Sequence, residues 1–362
     1  MNRVLWRSLL LLVLATGVAR GDLLRVPTEY ASIGAALTAA AHGDTIEIAP
    51  DTYSGPQNRD LDPGGRDIVF RAAGGSGGVI VDCESAGRAF SFVTGETSDT
   101  IVEGFTIVNG DGWATAELRG GAVRCVGSAP QFRGCVFQSC EGEFGGAAIM
   151  HDSSAEFVDC QFVDNHASVG GAMCIWGASD VTATGTSFIE NRGEAGALYM
   201  EFSSVQLDGC TFVGNHGSGL SSGITTWGAP GARITRCTFV CQTGRPVVSC
   251  AGGSRLVVDS AVFAFNEARP MECDDCESVV TRTLSYGSAV SDSLCGSVSQ
   301  CLYVDPLFCE APQTDVSLCA DSPCLAENNP WGETIGSGAL GCGPCATAVE
   351  SGSWGLIKEH YR

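Results

Sequence analysis

The chain has 362 residues, 48 of them glycine and 19 cysteine, and its 41 acidic against 20 basic side chains give a formal charge of −21. That balance argues against nucleic acid and anionic membrane surfaces as partners, since both demand basic patches. A hydrophobic fraction of 44 % with only 17 % charged residues excludes intrinsic disorder.

Residues 1–21 read as a secretory signal. Arg3 and Arg7 make a positive start, and Ser8 to Val18 is an apolar run too short to span a membrane. Ala19-Arg20-Gly21 puts small residues at the −3 and −1 positions, so cleavage is expected after Gly21. An uncleaved N-terminal anchor is the alternative. No later segment approaches the roughly 18 consecutive apolar residues of a span. The mature chain is therefore expected to lack a membrane span and to be secreted, periplasmic or held at the cell surface. The cysteine content agrees with an oxidising compartment, and its odd number leaves at least one thiol unpaired or paired between chains.

Next in the chain, Ile33, Ala36, Leu37 and Ala40 recur at helical spacing, predicting a short helix over about 30–42. Thr45 to Ala49 then begins a strand-rich region dominated by internal repetition. Phe137, Phe162, Phe188, Phe212, Phe239 and Phe263 anchor six units of about 25 residues. Two residues before each stands Cys135, Cys160, Thr186, Cys210, Cys237 or Ala261, and three after it Cys140, Asn165, Asn191, Asn215, Gln242 or Asn266. Gly-Gly-Ala runs open at Gly120, Gly145 and Gly170, with a degenerate copy at Ala195-Gly196-Ala197.

Each column has a physical reading. Residues two apart share a strand face, so the Phe column and the Cys/Thr column both point inward. Gly134, Asp159, Gly185 and Gly209 mark bends between them. Three short strands and three bends per unit describe one coil of a parallel β-helix, stacked about 4.8 Å from its neighbours. The Asn column (Asn165, Asn191, Asn215, Asn266) is expected to bond from coil to coil at a bend, where Asn also tolerates left-handed backbone angles.

The GGAV, GGAA and GGAM runs at 120–123, 145–148 and 170–173, with FVDN, FIEN, FVGN and FAFN at 162–165, 188–191, 212–215 and 263–266, resemble those of polymorphic outer-membrane proteins. They identify the chain as similar to the right-handed parallel β-helix, or pectin-lyase-like, superfamily. The stretch 26–55 resembles the opening segment of secreted β-helices, and DPLF with DSPC (305–308, 321–324) resembles their closing segment. The resemblance implies an all-β solenoid of ~25-residue coils with a helical N-terminal cap. The expected boundaries are a signal at 1–21, the β-helix at 22–300, a Cys-rich C-terminal cap at 301–345 and a tail at 346–362. The superfamily hosts lyases, hydrolases, adhesins and proteins without known activity.

The cysteines divide into two kinds. Inward-facing Cys135, Cys160, Cys210 and Cys237 read as buried small hydrophobes, because a one-coil step is slightly long for a relaxed disulfide. Cys295, Cys301, Cys309, Cys319, Cys324, Cys342 and Cys345 read as a disulfide-stapled cap. The Cys273-Asp-Asp-Cys276 and Cys342-Gly-Pro-Cys345 motifs lack the contexts of redox or zinc sites and read as structural disulfides.

Catalytic motifs are not identified. Lyase chemistry on this scaffold would need calcium held by outward acids such as Glu141, Asp152, Asp164, Glu190 and Glu194, with an arginine as base, since the sole lysine is Lys358. No acidic triplet among them recurs at one column. Asn215-His216-Gly217 and Arg233-Ile234-Thr235 echo hydrolase motifs, but the repeat already explains them. Four positions after each Phe, however, His166, Arg192 and His216 make an exposed column with a basic centre. Trp176 and Trp227 sit alike in their units, each followed by Gly-Ala, and would stack on sugar rings if exposed. The favoured function is therefore non-catalytic binding of polysaccharide or a cell-surface glycan, without a cofactor. The alternatives are a carbohydrate-active enzyme on the same scaffold, with calcium, and a structural or adhesive surface protein. Oligomeric state is not legible.

Overall fold

The computed structural model describes residues 21–75, 77–114, 120–310 and 315–345. The expected signal, Gly21 apart, and the expected tail at 346–362 lie outside the described residues. The periodic sequence forms a parallel solenoid of about 12 coils.

Two sheets run the length of the stack. A ten-stranded sheet carries the Phe column, from Asp51–Tyr53 to Leu284–Tyr286. A longer sheet runs from Leu23–Val26 to Ser297–Ser299 and takes two segments from most coils, such as Ala148–His151 and Glu156–Val158. Register follows the repeat: Phe137 pairs with Phe162, Phe162 with Phe188, and Phe188 with Phe212. The rings are fully buried and stack in near-parallel pairs, with centroids 4.7, 5.1, 4.6, 4.5 and 4.9 Å apart from Phe137 through Phe263. Each buried ring contributes roughly 1.5–3 kcal/mol.

The expected bends lie in the left-handed region: φ is 56° at Gly134, 51° at Asp159, 59° at Gly185 and 62° at Gly209. The Asn column differs from its expected geometry. Left-handed angles there belong to the preceding residues, Asp164, Glu190 and Gly214, not to the asparagines. The asparagines serve hydrogen bonding alone. Asn191 Oδ1 accepts from the backbone N–H and side-chain amide of Asn165, while its own amide donates to Phe162 O and Asn215 Oδ1. Each buried amide is thus satisfied by its neighbouring coils.

A fourth short strand, not expected from the repeat, forms a flange. Glu141–Phe144, His166–Val169, Arg192–Ala195 and His216–Ser221 pair as a separate four-stranded sheet. The paired glycines explain its tight return. Gly145 and Gly170 take φ of 73° and 68°, and a Cβ on Gly171 would lie 2.1 Å from Gly196 O in the next coil.

The N-terminal helix is shorter than the expected 30–42. It spans Ile33–Ala39, begins where Ser32 Oγ accepts from the Ala35 N–H, and buries Ile33, Ala36 and Leu37 over the first coil. At the other end, Leu294, Cys295 and Cys301 are partly buried against the main core. The cysteine-rich segment beyond them turns back along the side of the stack. Leu318, Cys324, Leu325 and Ile335 cover the outward face of the Phe sheet at Val213, Val240, Val262, Ala264 and Leu284. Ser337 N–H donates to Thr238 Oγ1 at 2.8 Å, and Arg282 pairs with Glu333 at 2.8 Å.

Neither CxxC motif closes on itself. The bridges are Cys250–Cys276, Cys273–Cys295, Cys309–Cys342 and Cys319–Cys345. The first links adjacent coils, where Cys250 lies opposite Cys273 in register. Cys301 and Cys324, expected in the stapled group, remain thiols, as do Cys135, Cys160, Cys210 and Cys237. Burial pushes the Cys140 and Cys324 thiols up to about 12, so these groups behave as small hydrophobes.

Two predictions follow from this packing. Asn191→Ala strands donors and acceptors on two coils, each costing about 1–3 kcal/mol. Urea unfolding should show a loss of about 3 kcal/mol, and a loss below about 1 kcal/mol would refute the ladder's structural role. Denatured, non-reduced protein should titrate 11 thiols with a thiol reagent, against many fewer in the native state.

Candidate functional site

The flange positions the candidate residues. Its strands alternate, with His166 and Ser168, Arg192 and Glu194, and His216 and Ser218 pointing to solvent. Ala167 and Ala195 are buried on the opposite side. The flange tip folds against the outer surface of the long sheet, where Ile149 and Cys174 are fully buried. A Cβ on Gly145 would meet Ala148 O and Cys174 N, and the Phe144 ring lies 4.4 Å from that of Trp176.

Register brings His166, Arg192 and His216 together. His166 pairs with Arg192 and Arg192 with His216, extending to Glu141 on one side and Thr243 on the other. They line a shallow groove of about 350 Å³ with Ser168, Glu194 and Ser218. His216 Nδ1 lies 3.0 Å from Thr243 Oγ1. Many other outward cations are matched with acids. Arg25, Glu47, Arg71, Glu103 and Arg133 alternate down one column, and Arg236 pairs with Asp208 and Arg282 with Asp259. Three consecutive basic side chains on the flange depart from that rule.

The two tryptophans also share an outward column. His151 pairs with Trp176, Ile175 with Met200, and Glu201 with Trp227, so Glu201 lies between the indoles. Trp176 is half-buried against Phe144, whereas Trp227 is 47 % exposed. The Trp227 ring passes over Gly252, where a Cβ would come within 3.1 Å. Tyr199 is half-buried with its hydroxyl 3.3 Å from Glu201 Oε2. Burial first, and then the Glu201 carboxylate, push its phenol up and keep it a proton donor.

Sequence reasoning missed Phe202. This ring is 61 % exposed and lies over Gly228, one coil along. The signal was present in the unit alignment: Phe202 occupies the left-handed turn position held by Gly177 and Gly228 in flanking coils. Phe202 takes φ of 49° where the flanking coils have glycine, and its large ring is left mostly exposed to solvent.

The acids named for calcium do not converge. Among the described residues, groups of three or more ligating side chains within 4.8 Å of one another are Cys309–Cys319–Cys342 and Cys319–Asp321–Cys345. Their cysteines are in disulfides, so these donor sets do not fit a calcium ion, which takes oxygens.

Residues 93–251 match the family described as a right handed beta helix region. Among solved structures, a pectate lyase is 14 % identical, with a TM-score of 0.51 over 86 % of this chain and 91 % of that one. A pectin methylesterase from Aspergillus niger is 13 % identical, with a TM-score of 0.39 over 79 % of this chain and 90 % of that one. An endo-xylogalacturonan hydrolase from Aspergillus tubingensis is 13 % identical, with a TM-score of 0.33 over 90 % of this chain and all of that one. No curated protein matches the sequence. These identities establish the fold alone.

Exposed rings resting on glycine backbone add little to folding. Phe202→Ala and Trp227→Ala should each leave the unfolding free energy within about 0.5 kcal/mol of the parent. A larger loss in chemical denaturation would make these rings structural.

Proposed function

We propose that this chain, a right-handed parallel β-helix on the scaffold shared by its carbohydrate-active structural neighbours, binds an extended polysaccharide without cleaving it. The observation that carries the reading is the pair of solvent-exposed rings, Phe202 and Trp227, on adjacent coils beside the flange. Aromatic faces stack on the C–H faces of sugar rings, while hydroxyls and charged groups alongside fix orientation. Here Tyr199, Glu201 and the His166–Arg192–His216 groove supply those polar groups. A coil step of about 4.8 Å is close to the advance of one ring in an extended glycan, so successive coils address successive sugars. A solenoid's long parallel face suits such a ligand.

The chain's extracellular role belongs to the same proposal. Four disulfides favour an oxidising compartment, and the apolar run at Ser8 to Val18 supplies a route of export. Among the described residues no helix is long and apolar enough to cross a membrane. The enzyme reading draws on the neighbours' chemistry, with calcium entering only there.

The test is binding of the mature protein to an immobilised glycan panel, with and without calcium, alongside assays for new reducing ends and unsaturated uronides. Binding should fall about tenfold, equivalent to about 1.4 kcal/mol, in Phe202→Ala and in Trp227→Ala. Product formation would overturn the non-catalytic part of the proposal. Binding unaffected by either substitution would remove the aromatic face from it.

A further inference from the structure

We infer that the His166–Arg192–His216 column is a proton-gated subsite for an anionic substituent on the bound glycan. This inference rests on the glycan-binding reading and names the chemical class and the regulation of that site.

On this strongly acidic chain, charge placement follows the register of the coils. Many outward arginines elsewhere lie opposite acids in register, as Arg71 does opposite Glu103 and Glu47, or contact them directly, as Arg236 does Asp208, while Arg233 stands between the uncharged Gln206 and Val257. Parallel stacking makes this necessary, because like charges directly opposite one another on adjacent strands repel. On the flange the rule is broken over three coils. Among the described residues no ion pair holds the Arg192 guanidinium, which is exposed between two imidazoles one coil away on either side. The nearest acids in the same column are Glu141 beyond His166, and Glu267 past Thr243 beyond His216. Glu267 is occupied, accepting from the Gly244 N–H at 2.8 Å. Glu194 faces the groove from the neighbouring column, and Asp164 and Glu190 stand exposed at the preceding turn. Ser168 and Ser218 complete the lining with hydroxyls.

This arrangement provides one permanent cation flanked by two groups whose charge depends on pH. Imidazole changes charge between about pH 5 and 8, whereas a sugar carboxylate stays ionised down to about pH 4. An anion seated at Arg192 favours the protonated form of both flanking rings, so binding takes up protons. By linkage, affinity is greatest where the free imidazoles are already protonated and falls as pH rises through their titration. A ring whose pKa rises by one unit on binding contributes about tenfold in affinity. The uncharged form of the same glycan gains nothing from this.

The experiment uses the mature, non-reduced protein with two β-1,4-linked hexamers, one of glucuronic acid and one of glucose. These differ only in a carboxylate against a hydroxymethyl group. Calorimetry at pH 5.5 and 7.5, in buffers of different ionisation enthalpy, reads both affinity and protons taken up. The charged hexamer should bind about tenfold more tightly at pH 5.5, with net proton uptake, and the neutral hexamer should show neither effect. The double variant His166→Gln, His216→Gln should abolish the pH dependence, and Arg192→Gln should weaken the charged hexamer at both pH values. Equal, pH-independent binding of both hexamers would overturn the subsite and leave glycan binding intact. Failure of the charged hexamer to bind at pH 5.5 would also overturn it, while the glycan panel with the aromatic variants judges the binding reading separately.

Discussion

Backbone hydrogen bonding between coils is the constraint on which the rest depends. A strand inside a parallel solenoid bonds to the coil before and the coil after, so its register is fixed twice and equivalent residues superpose. A side chain that suits one level must then tolerate a near-copy of itself about 4.8 Å above and below. Phenylalanine does so by stacking in parallel, as the nearly coplanar rings from Phe137 to Phe263 do. Asparagine does so by presenting a donor to one neighbour and an acceptor to the other, as Asn165, Asn191 and Asn215 do. Charge does not stack this way, and signs alternate in the Arg25–Glu47–Arg71–Glu103–Arg133 column.

That constraint explains why the fold was legible in one sequence. Residues that stack must repeat, so the Phe, Cys/Thr and Asn columns and the bends at Gly134, Asp159, Gly185 and Gly209 could be read directly. The asparagines' bonding role was legible too. Their expected backbone angle was not, because the bend needs only one left-handed residue and Asp164, Glu190 and Gly214 already supply it. The flange escaped for a related reason. Its strands are four to six residues long, and their inward face is built from Gly142, Ala167, Gly193 and Gly217, which carry almost no hydrophobic signal.

The C-terminal region was legible in composition and obscure in connection. Spacing cannot choose among disulfide partners, and each CxxC divides its cysteines between different neighbours because adjacent coils compete with adjacent residues. Cys276 bridges to Cys250 on the neighbouring strand although Cys273 is the residue opposite Cys250 in register, and Cys273 bridges onward to Cys295. The covering of the Phe sheet by residues such as Leu318 and Ile335 left no signal in the outward column, which is aliphatic at Val163 and Ile189 as well as at the covered Val213, Val240 and Ala264.

For the candidate site the same logic runs in reverse. Ladders make the interior monotonous, so information about a ligand has to sit where an outward column departs from its own repeat. Phe202 in a turn column of glycines and aspartate is one departure, and the stacked His166, Arg192 and His216 on an acidic chain are another. Neither departure follows from the packing of the solenoid: the aromatic faces water from a left-handed backbone, and the arginine stands between two imidazoles with no acid opposite it in register. Both lie beside the flange, on the same stretch of coils, between residues 166 and 227. On an otherwise self-consistent stack, places where a column breaks its own repeat are where the proposed glycan contacts are to be sought.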